Sequence, residues 1–151
     1  MILNNNKGIT LIVLTITIIV LLIIAGITIY TGSNLIQEAK IEDVKTNMLL
    51  VQAEMKNFVE QAKFEKKTIE NILADGITLD EVTLRLGEGE TIEGETYYKI
   101  TSSMNDLHLG KLNPDNYLVD IKIDDADAIV YFKPGIADGE GNVYHLLSQM
   151  P

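Results

Sequence analysis

Hydrophobic residues fill the chain from Ile9 to Tyr30, and no charged residue interrupts them. An α-helix rises about 1.5 Å per residue, so a helix of this length crosses a hydrocarbon core of about 30 Å. Inside lipid a helix also satisfies every main-chain N–H and C=O group, which outweighs the strand preference of the many β-branched residues. The pattern predicts a transmembrane helix at residues 9–30, preceded by a short polar leader at residues 1–8.

Beyond this run, hydrophobic residues recur alternately three and four residues apart, which is the spacing of one helix face. Charged residues of both signs lie mostly off that face, as on a solvated helix surface. We interpret residues 31–67 as an amphipathic helical stem that packs under the chain's own C-terminal part. The seam of a parallel coiled coil is the alternative. The predicted packing face consists of Ile41, Val44, Met48, Val51, Met55, Phe58 and Ala62.

Short elements are predicted after the stem. Thr68–Ala74 is expected to form one helical turn that stops at Asp75-Gly76. Thr78–Glu81 resembles a capping box and indicates a second short helix. Gly87–Glu95 is rich in glycine and glutamate, and we interpret it as an acidic loop. Its acidic lining excludes a phosphate-binding loop.

A period of two residues appears after Thr96 and predicts β-strands. Tyr97–Thr101 is one candidate strand. Tyr117–Ile123 and Ala128–Lys133 are expected to form a hairpin that ends at Pro134-Gly135, and Val143–Leu147 is a last candidate. The predicted fold class is α+β: a long N-terminal helix, made of a transmembrane half and the stem, packed on a small antiparallel sheet of about three or four strands. Residues 68–151 are the predicted globular head.

Charge is distributed unevenly along the chain. It has 12 Lys+Arg and 22 Asp+Glu, a net charge of -10, and most of the acidic excess lies in the predicted head. This sign disfavours direct binding to nucleic acid or to anionic lipid. The chain has no cysteine, so it has neither a disulfide framework nor a thiolate metal site.

Groups that carry out catalysis are missing from the sequence. There is no cysteine nucleophile and no Gly-x-Ser-x-Gly elbow. His108 and His145 stand in separate segments without the spacing of zinc ligands. We therefore expect no enzymatic activity, no catalytic or cofactor-binding residue and no small-molecule substrate.

One loop near the C-terminus has the composition of a calcium site. Asp138, Glu140 and Asn142 alternate with glycines, and oxygen ligands on a glycine-bent loop bind Ca²⁺. Calcium takes about six to eight oxygens, however, and this segment supplies three side chains. A plain β-turn is the favoured interpretation, and no cofactor is expected.

Residues at the start of the apolar run carry a family resemblance. Lys7-Gly8 followed by Ile9-Thr10-Leu11 and an unbroken apolar helix resembles the processing signal of type IV pilins and pseudopilins. The resemblance implies that a membrane prepilin peptidase recognises Lys7, Thr10 and Leu11 and cuts between Gly8 and Ile9. It also implies methylation of the new amine. The absence of cysteine suits a Gram-positive-like envelope, which lacks a dedicated oxidising compartment.

The chain departs from that family at Val13, where the family usually has glutamate at the fifth mature position. In the family this glutamate is thought to pair with the N-terminal amine of a neighbouring subunit. The resemblance implies partners in other pilin-like subunits and an assembly platform, and Val13 suggests a minor subunit. The alternative is a single-pass, membrane-tethered binding module that does not polymerise. Lys7 precedes the run and Lys40 follows at a distance, which places the N-terminus in the cytoplasm and the head outside the cell membrane.

Overall fold

The structure is a computed structural model that describes the backbone of residues 6–151 and the side chains of residues 13–26 and 34–151. The chain divides into two units, Met1–Ala39 and Lys40–Pro151. Helix α1 is Asn6–Phe64. Helix α2 is Ile69–Asp75, and the strands are β1 Ile77–Leu79, β2 Val82–Leu84, β3 Leu86–Ile92, β4 Glu95–Ile100, β5 Tyr117–Lys122, β6 Asp127–Ala137 and β7 Val143–Leu146.

In the first unit, the side chains from Val13 to Gly26 are exposed. Thr17 Oγ1 donates a hydrogen bond to the carbonyl oxygen of Val13 at 2.7 Å, which satisfies the hydroxyl within the helix. Within the described part of the chain, no helix combines the length and the apolar character that crossing a membrane requires. The predicted span at residues 9–30 includes residues 9–12 and 27–30, whose side chains lie outside the described residues.

The second unit has a single hydrophobic core between α1 and an antiparallel sheet of five strands, in the order β3-β4-β5-β6-β7. Strands β1 and β2 form a separate two-stranded sheet. The α+β class predicted from the sequence is confirmed, but the predicted number of strands is wrong. The five-stranded sheet is larger because the segment interpreted as a loop is strand β3, and the segment interpreted as a helix forms the separate sheet of β1 and β2.

The capping-box pattern of Thr78–Glu81 predicted the start of a short helix, and this prediction is wrong. Asp80 and Glu81 have φ angles of 47° and 69° and form the turn between β1 and β2. Two consecutive positive φ angles are typical of a type I′ hairpin turn. The strands that flank it bury Ile77 and Leu84 in the core, which outweighs the local helical preference.

The acidic, glycine-rich segment is also a strand rather than a loop, because β3 pairs with β4 from Leu86 to Ile92. Its glycines lie where the neighbouring strand approaches closely. A Cβ atom on Gly89 would lie 2.9 Å from Thr96 Cγ2 and 3.0 Å from Tyr98 Cε1. The glycine content therefore reflects cross-strand packing, a role that glycine takes in strands as well as in loops.

Strand β6 does not end at Pro134-Gly135 but continues to Ala137. Its register with β7 shifts between Tyr131 and Ile136. Gly135 has a φ of 68°, and a Cβ there would lie 2.6 Å from Val143 Cγ1. An irregularity of this kind accommodates proline, which has no N–H to donate, inside a strand.

Candidate functional site

The residues predicted for processing, Lys7, Gly8, Ile9, Thr10 and Leu11, have side chains outside the described residues. Val13 is described, and it is 56% exposed. The roles predicted for Val13 in assembly and for the processing residues therefore stay predictions from the sequence.

Six of the seven residues of the predicted packing face lie in or against the core of the second unit, and Ile41 is buried outside that core cluster. Met48, Val51, Met55 and Ala62 are fully buried and Phe58 is 1% exposed. Ile41 is 7% exposed, and Val44 is half-buried against the same core. Burying a side chain of this size stabilises a fold by about 1.5–3 kcal/mol. The helix surface that residues 44–62 present to the sheet is thus part of the core of the second unit.

A row of polar contacts runs beside this apolar face and joins α1 to the β5–β6 hairpin. Gln52 Nε2 donates to Ala128 O at 2.7 Å, and Lys63 Nζ donates to Asp124 O at 2.6 Å. Between them, Lys56 Nζ lies 2.9 Å from Asp127 Oδ1. We call Gln52, Lys56 and Lys63 the polar clamp.

The polar clamp was not found from the sequence, although a signal for it exists. Its three residues follow one another at intervals of four and seven, which places them on one helix face next to the apolar stripe. The ammonium of Lys56, with the amide of Ala128, lowers the pKa of the Asp127 carboxyl. The clamp adds polar contacts between the helix and the turn end of the hairpin, beside the apolar packing of Ile123 and Ala128.

The candidate calcium loop is held together by Asp138 itself. Asp138 Oδ1 accepts the main-chain N–H groups of Glu140 and Asn142, at 2.8 and 2.9 Å. Asp138 Oδ2 accepts the Asn142 amide at 2.7 Å and the Tyr144 hydroxyl at 2.6 Å. The hydroxyl of Tyr144 and the amide of Asn142 hold the pKa of Asp138 well below its usual value.

Both oxygens of this carboxylate are therefore engaged by N–H and O–H donors from its own loop. Asn142 presents its amide nitrogen, and not its oxygen, to Asp138. Among the residues that the structure describes, no group of three His, Cys, Asp or Glu side chains is arranged to hold a metal ion. The geometry is that of a turn organised by an aspartate.

The sheet face opposite α1 carries a cluster of charged side chains around Asp120. Asp120 is 6% exposed, and Lys122 Nζ lies 2.6 Å from its Oδ2 and 3.1 Å from Glu95 Oε2. No well-directed hydrogen bond reaches Oδ2 from the described residues, and the charge of this oxygen is balanced by the ammonium of Lys122 in an ion pair. Asp120 and Glu95 raise the pKa of Lys122.

The two histidines take part in different contacts. His145 stacks on Tyr131 with ring centroids 5.0 Å apart, and its Nδ1 lies 2.8 Å from the carbonyl oxygen of Phe132. His108 is mostly exposed and lies 3.9 Å from Glu54 Oε1. The partner of His145 is a main-chain carbonyl, which is not a nucleophile, and the 3.9 Å between His108 and Glu54 exceeds the reach of about 3.2 Å in a nucleophile–base pair.

Comparison of the chain with protein-family models, with curated proteins and with solved structures finds no match.

Proposed function

We propose that the chain is a structural, pilin-like subunit of a type IV pilus, a competence pseudopilus or a type II secretion-like pseudopilus. The order Lys7-Gly8-Ile9, followed by an uncharged run to Tyr30, carries the proposal because it resembles a prepilin signal. In this proposal a prepilin peptidase cuts after Gly8. Residues 9–30 then anchor the subunit in the cell membrane until an assembly platform incorporates it into an extracellular filament.

Exposure of the apolar run supports this role. The large hydrophobic side chains described from Val13 to Ile24 are between 46% and 67% exposed. A continuous exposed apolar surface marks a contact with lipid or with other protein subunits. We propose that lipid covers it before assembly and that other pilin-like subunits cover it afterwards, in one long helix with a transmembrane half and an amphipathic stem.

The contacts of the second unit support a head that is carried by a helix. Phe58 and its neighbours on α1 complete the core, and the polar clamp attaches the β5–β6 hairpin. Removing the helix from this unit would expose the core face of the sheet to water. A head of this kind suits a subunit displayed outside the membrane at the end of its own stem.

N-terminal mass spectrometry of the full chain, extracted from cells that contain the peptidase, tests the proposal. We expect Ile9 as the first residue, carrying an N-methyl group. Replacing Gly8 with phenylalanine should block cleavage. Gly26→Ala is the control, because a Cβ there meets nothing within 4 Å. An intact Met1 in the presence of an active peptidase would overturn the proposal.

Val13 favours a second candidate, a membrane-tethered binding module that does not polymerise. A carboxylate inside a bilayer costs about 2.5–3.5 kcal/mol, and the family offsets this cost by pairing it with the amine of the next subunit. A chain with valine has neither the cost nor the attraction. Expressed as the only pilin with a complete assembly machine, the chain should form no long filaments, whereas Val13→Glu should form them. Filaments made by the unchanged chain would show that apolar packing is sufficient.

Co-purification separates a minor subunit from the tethered module. A minor subunit should be found in small amounts in sheared filaments built from a second pilin that has the glutamate. The tethered module should remain in the membrane fraction under the same shearing. Head exposure to protease added outside intact cells is expected in both cases, and it tests only the orientation.

A further inference from the structure

The two edges of the five-stranded sheet differ in how far they are protected against pairing with another strand. At one edge, Gln149 Oε1 accepts the main-chain N–H groups of His145 and Leu146 in β7, at 2.9 and 3.1 Å. Strand β7 is also short, with 4 residues. Short, capped edges are a common protection against pairing with another chain. This edge is therefore closed by its own sequence.

The other edge, β3, has 7 residues and pairs only with β4 within the described residues. Its residues from Glu88 to Thr91 are all exposed. Gly87 and Gly89 add no side chain of their own beside this edge, although side chains of Thr101 and Thr96 lie close to them on the side of β4. Alternate N–H and C=O groups of an edge strand point away from its one partner and are free to pair.

Charge restricts what can pair there. The β3–β4 hairpin carries Glu88, Glu90, Glu93 and Glu95. Lys133 lies 3.1 Å from Glu90 and Lys122 lies 3.1 Å from Glu95. In the described part of the chain no lysine or arginine forms an ion pair with Glu88 or Glu93. The edge thus presents uncompensated negative charge beside its unpaired main chain.

We propose that β3 is a docking edge for an extended, lysine- or arginine-bearing segment of a partner protein, which adds to the sheet as a sixth strand. Main-chain hydrogen bonds to β3 supply affinity, and the glutamates select a basic segment. A second copy of this chain would place glutamates opposite glutamates, which is unfavourable. The proposal does not depend on the assembly of a filament.

Peptide binding to the full chain in neutral detergent micelles tests this proposal. The probe is a short, fluorescently labelled peptide in which lysine alternates with valine or threonine. We expect it to bind with a Kd that rises with salt, and to slow amide hydrogen exchange at residues 88–92. A peptide with glutamate in place of lysine, and a lysine peptide with proline at its centre, should bind at least about tenfold more weakly.

Two variants of the chain test separately the main-chain pairing at the edge and the negative charge beside it. Thr91→Pro removes a main-chain N–H from the edge, and Glu88→Lys reverses a charge beside it. Each should raise the Kd by about tenfold. Asp106→Lys makes the same charge change in an exposed loop and should leave the Kd within about twofold. If circular dichroism shows that Thr91→Pro is unfolded, Glu88→Lys and the proline peptide decide.

Three results would overturn the proposal. The first is equal binding of the lysine and glutamate peptides. The second is protection from exchange outside β3 that neither variant changes. The third is a dimer of the chain that Thr91→Pro dissociates while no peptide binds, which would assign the edge to self-association.

Discussion

The ammonium of Lys56, in the middle of the stem, lies 2.9 Å from Asp127 Oδ1 at the first residue of β6. This ion pair ties the helix to the turn of the β5–β6 hairpin, and the two flanking hydrogen bonds of the polar clamp reach main-chain oxygens of the same hairpin. The contact between helix and sheet therefore has an apolar face and a polar border. Removal of the apolar face should lower the free energy of unfolding much more than removal of the polar border.

The polar border should contribute little to stability at neutral pH and less at acidic pH. The side chains of Lys56 and Asp127 are 43% and 45% exposed, so Asp127→Asn should lower the free energy of unfolding by about 0.2–1 kcal/mol. The pKa of Asp127 is lowered in the folded chain, so the unfolded chain binds more protons at acidic pH. The contribution is present above the unfolded pKa, about 3.9, and is lost as pH falls through the folded value.

Urea unfolding of the unchanged chain and of Asp127→Asn, across a series of pH values, measures this difference. Asp106→Asn is the control, since Asp106 lies in an exposed loop. A difference between the unchanged chain and Asp127→Asn that grows as pH falls would contradict the assignment of the ion pair.

The apolar face should dominate the stability of the second unit. Phe58 is 1% exposed and belongs to the core cluster, so Phe58→Ala should lower the free energy of unfolding by about 3–5 kcal/mol. Phe64, on the same helix, is 82% exposed, and Phe64→Ala should change it by less than about 0.5 kcal/mol. Chemical denaturation of the full chain in micelles compares the two. Equal losses would mean that the face of residues 41–62 packs against something other than the sheet.

Replacing Lys66 with glycine, just after the C-terminal end of α1, should stabilise the chain. Lys66 has a φ of 54°, and the N–H of Lys67 reaches back to Ala62 O at 2.9 Å, which closes the helix in the manner of a Schellman motif. A lysine in the left-handed region is strained by about 1–2 kcal/mol, and glycine is not. Because glycine also loses more entropy on folding, Lys66→Gly should stabilise the chain by about 0.5–1 kcal/mol.

Glu60→Gly is the matched change within the same helix and should destabilise the chain by about 1 kcal/mol. Thermal unfolding of both variants gives the comparison. A loss of stability in Lys66→Gly would show that the lysine side chain has a contact worth more than the backbone strain.

The pKa of Asp138 should depend on the hydroxyl of Tyr144. Removing the hydroxyl in Tyr144→Phe takes away the 2.6 Å hydrogen bond to Asp138 Oδ2, which is the largest cause of the lowered pKa. The pKa of Asp138, followed by NMR of its carboxyl carbon, should therefore rise toward its ordinary value. Tyr131→Phe, which removes a hydroxyl from a tyrosine stacked on His145, should leave it unchanged. Added calcium should not shift the Asp138 signal in the unchanged chain or in Tyr144→Phe.

Local patterns in the sequence determined the elements whose own period is strong. The spacing of Met48, Val51, Met55 and Phe58 predicted one apolar helix face, and these residues form the helical side of the core. The alternation in Tyr117–Ile123 and Ala128–Lys133 predicted the β5–β6 hairpin, which the register confirms. Both predictions succeed because the residues of each element face the core and the solvent in regular turn, at the period of that element.

Only the tertiary structure decided the elements whose stability comes from a neighbour. Asp80-Glu81 lacks the glycine or asparagine of a usual hairpin turn, and β3 contains two glycines and two glutamates, so neither segment has a strand signal of its own. The turn is held by the burial of Ile77 and Leu84, and β3 by pairing with β4. The same holds for the polar clamp, which joins residues far apart in the chain. The spacing of Gln52, Lys56 and Lys63 marks a polar helix face, but no pattern in the sequence identifies the hairpin atoms that they contact, because only the fold brings those partners near.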